Sequence, residues 1–216
     1  ARPPVNAPLR FRLARQLLRL ILGSLFRVEL RGRDRLPGRR PYVLACNHLG
    51  WADPFLLLGW LPPSPRIHFL GRRSAIYNRR WKRWVLELMG GVIPVESGDI
   101  DHLSQAVGGV LARGGVVAIF PEGRTGPAEG RLQELRHGVA HFAARNGVPV
   151  AVLGLAGTLE LWRGKRIVLQ VGRTVEMAGD VDADMVEIEG GLQEALPPYD
   201  DPGGKKPWPW LTTLLK

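Results

Sequence analysis

The chain reads as a single α/β domain, a mixed and mostly parallel sheet covered by helices, entered through an amphipathic helix suited to a membrane interface. Three observations predict it. Short apolar runs at 42–46 and 116–120 alternate with longer helical stretches, the pattern of strands buried on both faces beneath crossover helices. At 216 residues and 45% hydrophobic content, the chain can bury one sizeable core and is not largely disordered. No internal repeat, low-complexity tract or long linker divides it.

The elements follow in order. Residues 9–26 wind as a helix with Arg12, Arg15 and Arg19 in one narrow sector, at about 100° per residue, and leucines filling much of the rest. Such a helix either packs on the domain or lies in a membrane interface, and the density of arginine favours the membrane. Its longest uncharged run, 20–26, is too short to span hydrocarbon. An edge strand is expected at 26–30, a turn at Pro37-Gly38, and a buried strand at 42–46. Asp53-Pro54 signals a helix start, with Asp as the cap and Pro in the first position, and Pro62-Pro63 a stop. Strands are expected at 67–70, 92–95, 116–120, 148–155 and 167–171, and helices at 78–89, 101–113, 132–145 and 183–196. The chain thus divides into a membrane-associating helix and lead-in (1–30), a main domain (31–200) and an apolar Trp/Pro-rich tail (201–216) whose tryptophans suit an interface.

The net charge of +10 is local: eleven arginines stand in the first forty residues against Glu29 and Asp34, while 174–201 holds nine acids and no lysine or arginine. One face is therefore positive, and its partner is chosen by the apolar helix beside it, an anionic lipid surface rather than nucleic acid. Trp81 and Trp84 lie among arginines, but no RNA-binding signature accompanies them. The single cysteine, Cys46, excludes a disulfide within this sequence and a cysteine-based zinc site, and no metal site or cofactor is indicated.

Two polar clusters each follow an apolar strand, at the strand ends where ligands of layered α/β folds sit. In the first, Asn47-His48-Leu49-Gly50-Trp51-Ala52-Asp53, the histidine and carboxylate are five positions apart. They meet only if a turn intervenes, since on one helix they would diverge by about 140°. If Asp53 accepts the Nδ1 proton, Nε2 of His48 is free to take a proton from a hydroxyl. The blander alternative is a strand-end histidine bonded to backbone and an aspartate that only caps a helix. In the second cluster, Phe120-Pro121-Glu122-Gly123-Arg124-Thr125-Gly126, Arg124 suits bidentate contact with phosphate and Gly123 close backbone approach. Glu122 can hold Arg124 or accept a substrate hydroxyl. A plain turn with a surface ion pair is the alternative. Cys46 as a nucleophile beside His48 competes with Cys46 as a small buried residue, the reading we favour.

These residues resemble the glycerolipid acyltransferases, typified by 1-acylglycerol-3-phosphate acyltransferase. The likeness rests on Asn47-His48 with Asp53, and on Phe120-Pro121-Glu122-Gly123 with Arg124 adjacent; Gly91-Val92-Ile93-Pro94-Val95 and Val148-Pro149-Val150 are weaker echoes. It covers roughly residues 40–155. The resemblance implies that His48 is a general base oriented by Asp53. A lysophospholipid hydroxyl attacks the thioester of acyl-CoA or acyl carrier protein, and Glu122, Gly123, Arg124 and Thr125 help hold the acceptor's phosphate. It also implies an enzyme lying on the cytoplasmic face of the cell membrane. The sequence departs from the family pattern at Gly50, often serine; Ser97, usually arginine; Arg124-Thr125, whose order is commonly reversed; and Val152, frequently proline. Without an arginine at 97, either Arg72 or Arg73 compensates or the acceptor is a less anionic lysolipid. A non-catalytic basic membrane-binding protein is the other reading of the same charges.

Overall fold

The computed structural model describes residues 8–72, 91–95, 100–200 and 208–212. The helix expected over 78–89, with Trp81 and Trp84, lies outside these, as do Arg73, Ser97 and the Arg72 side chain. The described residues form an α/β domain on a seven-stranded sheet, ordered β1-β7-β6-β2-β5-β3-β4. The strands are β1 (Phe26–Arg31), β2 (Tyr42–Cys46), β3 (Ile67–Arg72), β4 (Val92–Val95), β5 (Val116–Ile119), β6 (Val150–Ala156) and β7 (Lys165–Val175). Every neighbouring pair is parallel except β6 with β7, which makes the sheet mixed and mostly parallel as expected.

The central strand β2 is buried at all five residues. Tyr42, Leu44 and Cys46 face one layer, while Val43 and Ala45 face the other, the period-two alternation of a pleated strand. On the first layer lie α1 (Leu9–Leu25) and α2 (Asp53–Trp60); on the second lie α3 (Ile100–Ala112), α4 (Gly138–Arg145) and α5 (Val181–Ala195). Each fully enclosed leucine, among them Leu44, Leu56, Leu153 and Leu155, contributes about 1.5–3 kcal/mol over the exposed side chain.

Two elements depart from expectation. Residues 131–136 are irregular, and α4 begins only at Gly138. The leucine spacing is real, since Leu135 is buried, but tertiary bonds outcompete helix here: the Arg136 N–H donates to Pro121 O at 2.9 Å, and Gln133 turns to Glu122. Pro54 is the second residue of α2, not the first, because Asp53 is already helical and Ala52 precedes it without a side-chain cap.

The N-terminal helix also lies otherwise than its wheel suggests. Phe11, Arg15 and Leu22 are buried against the domain, and Arg15 donates from Nε to Leu58 O at 2.9 Å and from Nη2 to Leu61 O at 2.8 Å. A guanidinium thus satisfies carbonyls at the end of α2, where cations are favoured. Arg19 lies over the Trp60 ring at 5.5 Å. The face left outward carries Leu9, Leu13, Leu17, Leu20 and Ile21, each at least 50% exposed.

Candidate active site

The two polar clusters are 74 residues apart in sequence and meet because β2 and β5 are adjacent and parallel. Ala45 pairs with Ile119, so both strands end at one level and Phe120 emerges beside the exit of β2. Asn47 extends the sheet by one more rung: its amide accepts from Leu155 N at 2.7 Å and donates to Leu155 O at 3.0 Å. That side chain copies a backbone ladder bond and locks the strand end to β6, a role the sequence reading did not assign.

His48 follows, its ring stacked on Phe120 with centroids 4.2 Å apart, and Phe120 in turn stacks on Phe69 of β3. Nδ1 lies 2.7 Å from Asp53 Oδ2. A carboxylate only accepts, so Nδ1 bears a proton, and in the neutral ring the lone pair is then on Nε2. The same Oδ2 accepts from Leu49 N at 2.7 Å and Gly50 N at 2.9 Å. Asp53 is fully buried, and its bonds reach back into the turn before α2 rather than forward to cap that helix. It therefore builds the turn and aims the ring at once. Gly50 makes the turn possible: a Cβ there would stand 2.8 Å from Thr158 O, so the loop at 157–159 closes onto this glycine. Glu129 holds that loop by accepting from Gly157 N and Leu159 N, and burial pushes its carboxyl above the usual carboxylate range.

The second cluster grips His48 by its backbone. Glu122, 4% exposed, accepts from His48 N at 3.1 Å through Oε1, while Gly126 N donates to His48 O at 2.6 Å. Glu122 Oε2 accepts from Gln133 Nε2 at 2.9 Å. Both carboxylate oxygens are thus engaged inward, and among the described residues none of their partners is Arg124. Gly123, Arg124 and Thr125 are exposed on the turn beyond, and Arg124 shares with Glu122 a cavity of about 420 Å³. Glu122 is the wall common to the turn that holds His48 and the cavity that holds Arg124. Gln133, Glu129 and Arg136 gave no signal in the sequence, since each takes part through a tertiary contact.

Cys46 is fully buried, and its thiol donates to Asn47 O at 3.2 Å. Burial, with Asp53 and Glu122 nearby, raises its pKa well above the usual thiol value. A sulfur so enclosed and so reluctant to ionise is the small buried residue of the blander reading.

A strand-end histidine aimed by a buried carboxylate, joined through a glutamate to an arginine-lined turn, suits proton abstraction from a hydroxyl beside an anion. A family model described as Acyltransferase matches residues 27–155, a span that contains both clusters. The chain belongs to this acyltransferase family. It is 24% identical over 180 residues to a 1-acyl-sn-glycerol-3-phosphate acyltransferase of Bacillus subtilis, covering 83% of this chain and 89% of the relative. It is 34% identical over 171 residues to a lyso-ornithine lipid O-acyltransferase of Pseudomonas aeruginosa, covering 71% of this chain and 62% of the relative. Among solved structures, the 1-acyl-sn-glycerophosphate acyltransferase PlsC of Thermotoga maritima matches the acyltransferase fold seen here with a TM-score of 0.66 at 16% identity, over 85% of this chain and 79% of that one.

Proposed function

We propose that this acyltransferase moves an acyl group from acyl-CoA or acyl carrier protein to the hydroxyl of a lysophospholipid, with 1-acylglycerol-3-phosphate as acceptor and phosphatidic acid as product. The observation that carries the reading is the 2.7 Å bond between His48 Nδ1 and Asp53 Oδ2, which leaves Nε2 as the base. Nε2 takes the hydroxyl proton as the acceptor oxygen attacks the thioester carbonyl. The tetrahedral intermediate then expels the thiolate, and the imidazolium returns its proton to that sulfur. The new ester and a free thiol leave the site, with no acyl group ever carried by the protein. Asp53 supplies the negative charge that stabilises the imidazolium, Glu122 fixes the backbone of His48, and Gly123, Arg124 and Thr125 receive the acceptor's phosphate.

Incubation of the purified protein with labelled acyl-CoA or acyl carrier protein and a panel of lysolipids tests this. Labelled phosphatidic acid is the expected main product, and no acylated product from any lysolipid with either donor would overturn the reading. A second acceptor has an observation in its favour, because the lyso-ornithine lipid relative is the more identical one. Lyso-ornithine lipid therefore belongs in the panel, and the ratio of the two products decides between them.

We further place the enzyme on the cytoplasmic face of the cell membrane, bound to anionic lipid. Among the described residues, six of the seven exposed large hydrophobic side chains stand on α1 or on Trp210 of the tail helix α6 (Pro209–Thr212). On a helical wheel Arg12 and Arg19 lie along one side of the α1 stripe and Arg10 stands within it, and leucines set beside arginines suit the boundary of head groups and acyl chains. None of the described helices is long and apolar enough to cross a membrane. Introducing Leu13→Glu with Leu17→Glu should lower co-sedimentation with anionic vesicles at least tenfold. Circular dichroism should be unchanged, because both side chains already face outward. Undiminished binding would remove this surface from the account.

A further inference from the structure

The turn that carries Arg124 is covered by a second guanidinium that its own sequence run does not contain. The backbone N–H of Arg136 donates to Pro121 O at 2.9 Å, which returns the irregular segment 131–136 across the turn. The Arg136 side chain then lies over Gly123: a Cβ at that position would stand 2.9 Å from both Cζ and Nε. Gly123 has φ +67°, so the turn requires glycine, and the space where a side chain would stand is taken by the guanidinium. Arg124 and Arg136 line the same cavity of about 420 Å³.

The cavity is lined by two carboxylates and two guanidiniums, but they are not paired with one another. Glu122 spends both oxygens on His48 N and Gln133, and His137 faces Asp182 at 3.5 Å. Glu134 lines the cavity too, yet among the described residues it forms no ion pair with either arginine, and neither guanidinium has a hydrogen-bond acceptor. Two exposed guanidiniums lining one cavity, one of them lying over Gly123, present planar N–H forks to a tetrahedral or planar anion.

We propose that Arg136, folded over Gly123, is the second arm of a two-guanidinium seat with Arg124 that binds a substrate phosphate and so sets preference for phosphate-bearing substrates. The inference rests on the acyl-transfer reading above for what the phosphate belongs to. It is either the acceptor's head group or the phosphate of the acyl donor, and the two are separable by experiment. Kinetics of the full chain, Arg136→Ala and Arg136→Lys are measured with four substrates in turn: 1-acylglycerol-3-phosphate, the phosphate-free 1-monoacylglycerol, acyl-CoA and the phosphate-free acyl-pantetheine. For an acceptor seat, Arg136→Ala raises KM for 1-acylglycerol-3-phosphate about tenfold or more and leaves KM for 1-monoacylglycerol and for acyl-CoA unchanged. For a donor seat, the rise appears with acyl-CoA and not with acyl-pantetheine. Lysine restores part of the loss, because it keeps the charge and not the fork. An equal rise for phosphate-bearing and phosphate-free substrates, or a fall in kcat with every KM unchanged, overturns the seat.

Direct binding separates this failure from failure of the acyl-transfer reading. Calorimetric titration of the parent and Arg136→Ala proteins with glycerol 3-phosphate and with CoA at low salt needs no turnover. Binding of one of them to the parent, weakened about tenfold in the variant, supports the seat even where no lysolipid is acylated. Binding of neither to the parent, or equal binding to both proteins, removes it.

Discussion

Replacing His48 by alanine should lower acyl transfer by about 10²–10⁴-fold, the usual contribution of a positioned general base. The backbone at 48 is held from outside the side chain, by Glu122 at the N–H and Gly126 at the carbonyl, so the turn should survive the loss of the ring. What disappears is the stack on Phe120 and the acceptor atom Nε2. Initial rates with a lysolipid and a thioester donor, read beside circular dichroism, separate the two effects. A variant that keeps the parental rate would show that the imidazole takes no proton in the reaction.

The elements that were legible in the sequence are those whose burial is two-sided or whose ends are marked. The strand at 42–46 is apolar at every residue because β6 and β5 flank it and helices cover both faces, so its limits fall where polar residues begin. The pairing of His48 with Asp53 followed from a turn between a strand and a helix, which depends on local order alone. What the sequence could not show depends on register. Glu122 reads equally well as a partner for Arg124, and only the alignment of Ala45 with Ile119 brings it to His48 N instead. Residues 132–136 carry helical spacing, yet the bonds of Gln133 to Glu122 and of Arg136 to Pro121 hold them in an irregular course beside the Glu122 turn. Intrinsic propensity is a difference of tenths of a kcal/mol per residue, and contacts worth about 1 kcal/mol each overrule it. The arginines of α1 show the same limit: a wheel groups Arg12, Arg15 and Arg19, but not that Arg15 is spent on the carbonyls closing α2. The outward leucines follow from that docking.

Asp53 should divide into two separable functions when it is replaced by asparagine and by alanine. Its Oδ2 takes three donors, the imidazole Nδ1 and the backbone N–H groups of Leu49 and Gly50, in a fully buried position. Asparagine keeps an acceptor for the two backbone groups if its oxygen occupies that place, so the turn persists. The negative charge proposed to stabilise the imidazolium is gone, and the amide nitrogen falls where Oδ1 is buried without a hydrogen-bond partner, at a cost of about 1–3 kcal/mol. If the amide turns the other way, its N–H groups meet Nδ1 and force the tautomer with the proton on Nε2, which cannot accept one. Either orientation should lower acyl transfer by about 10²–10⁴-fold in Asp53→Asn. Alanine removes the charge and leaves both backbone donors unpaired, the buried one of Leu49 and the partly buried one of Gly50, so Asp53→Ala should match that loss of rate and also lose about 2–4 kcal/mol of stability. Urea unfolding midpoints measured beside initial rates distinguish them. The asparagine variant is expected to move the rate more than the midpoint, and the alanine variant to move both. Parental rate in Asp53→Asn would mean that the charge behind the histidine does not act in the reaction, and that the carboxylate is there to shape the turn.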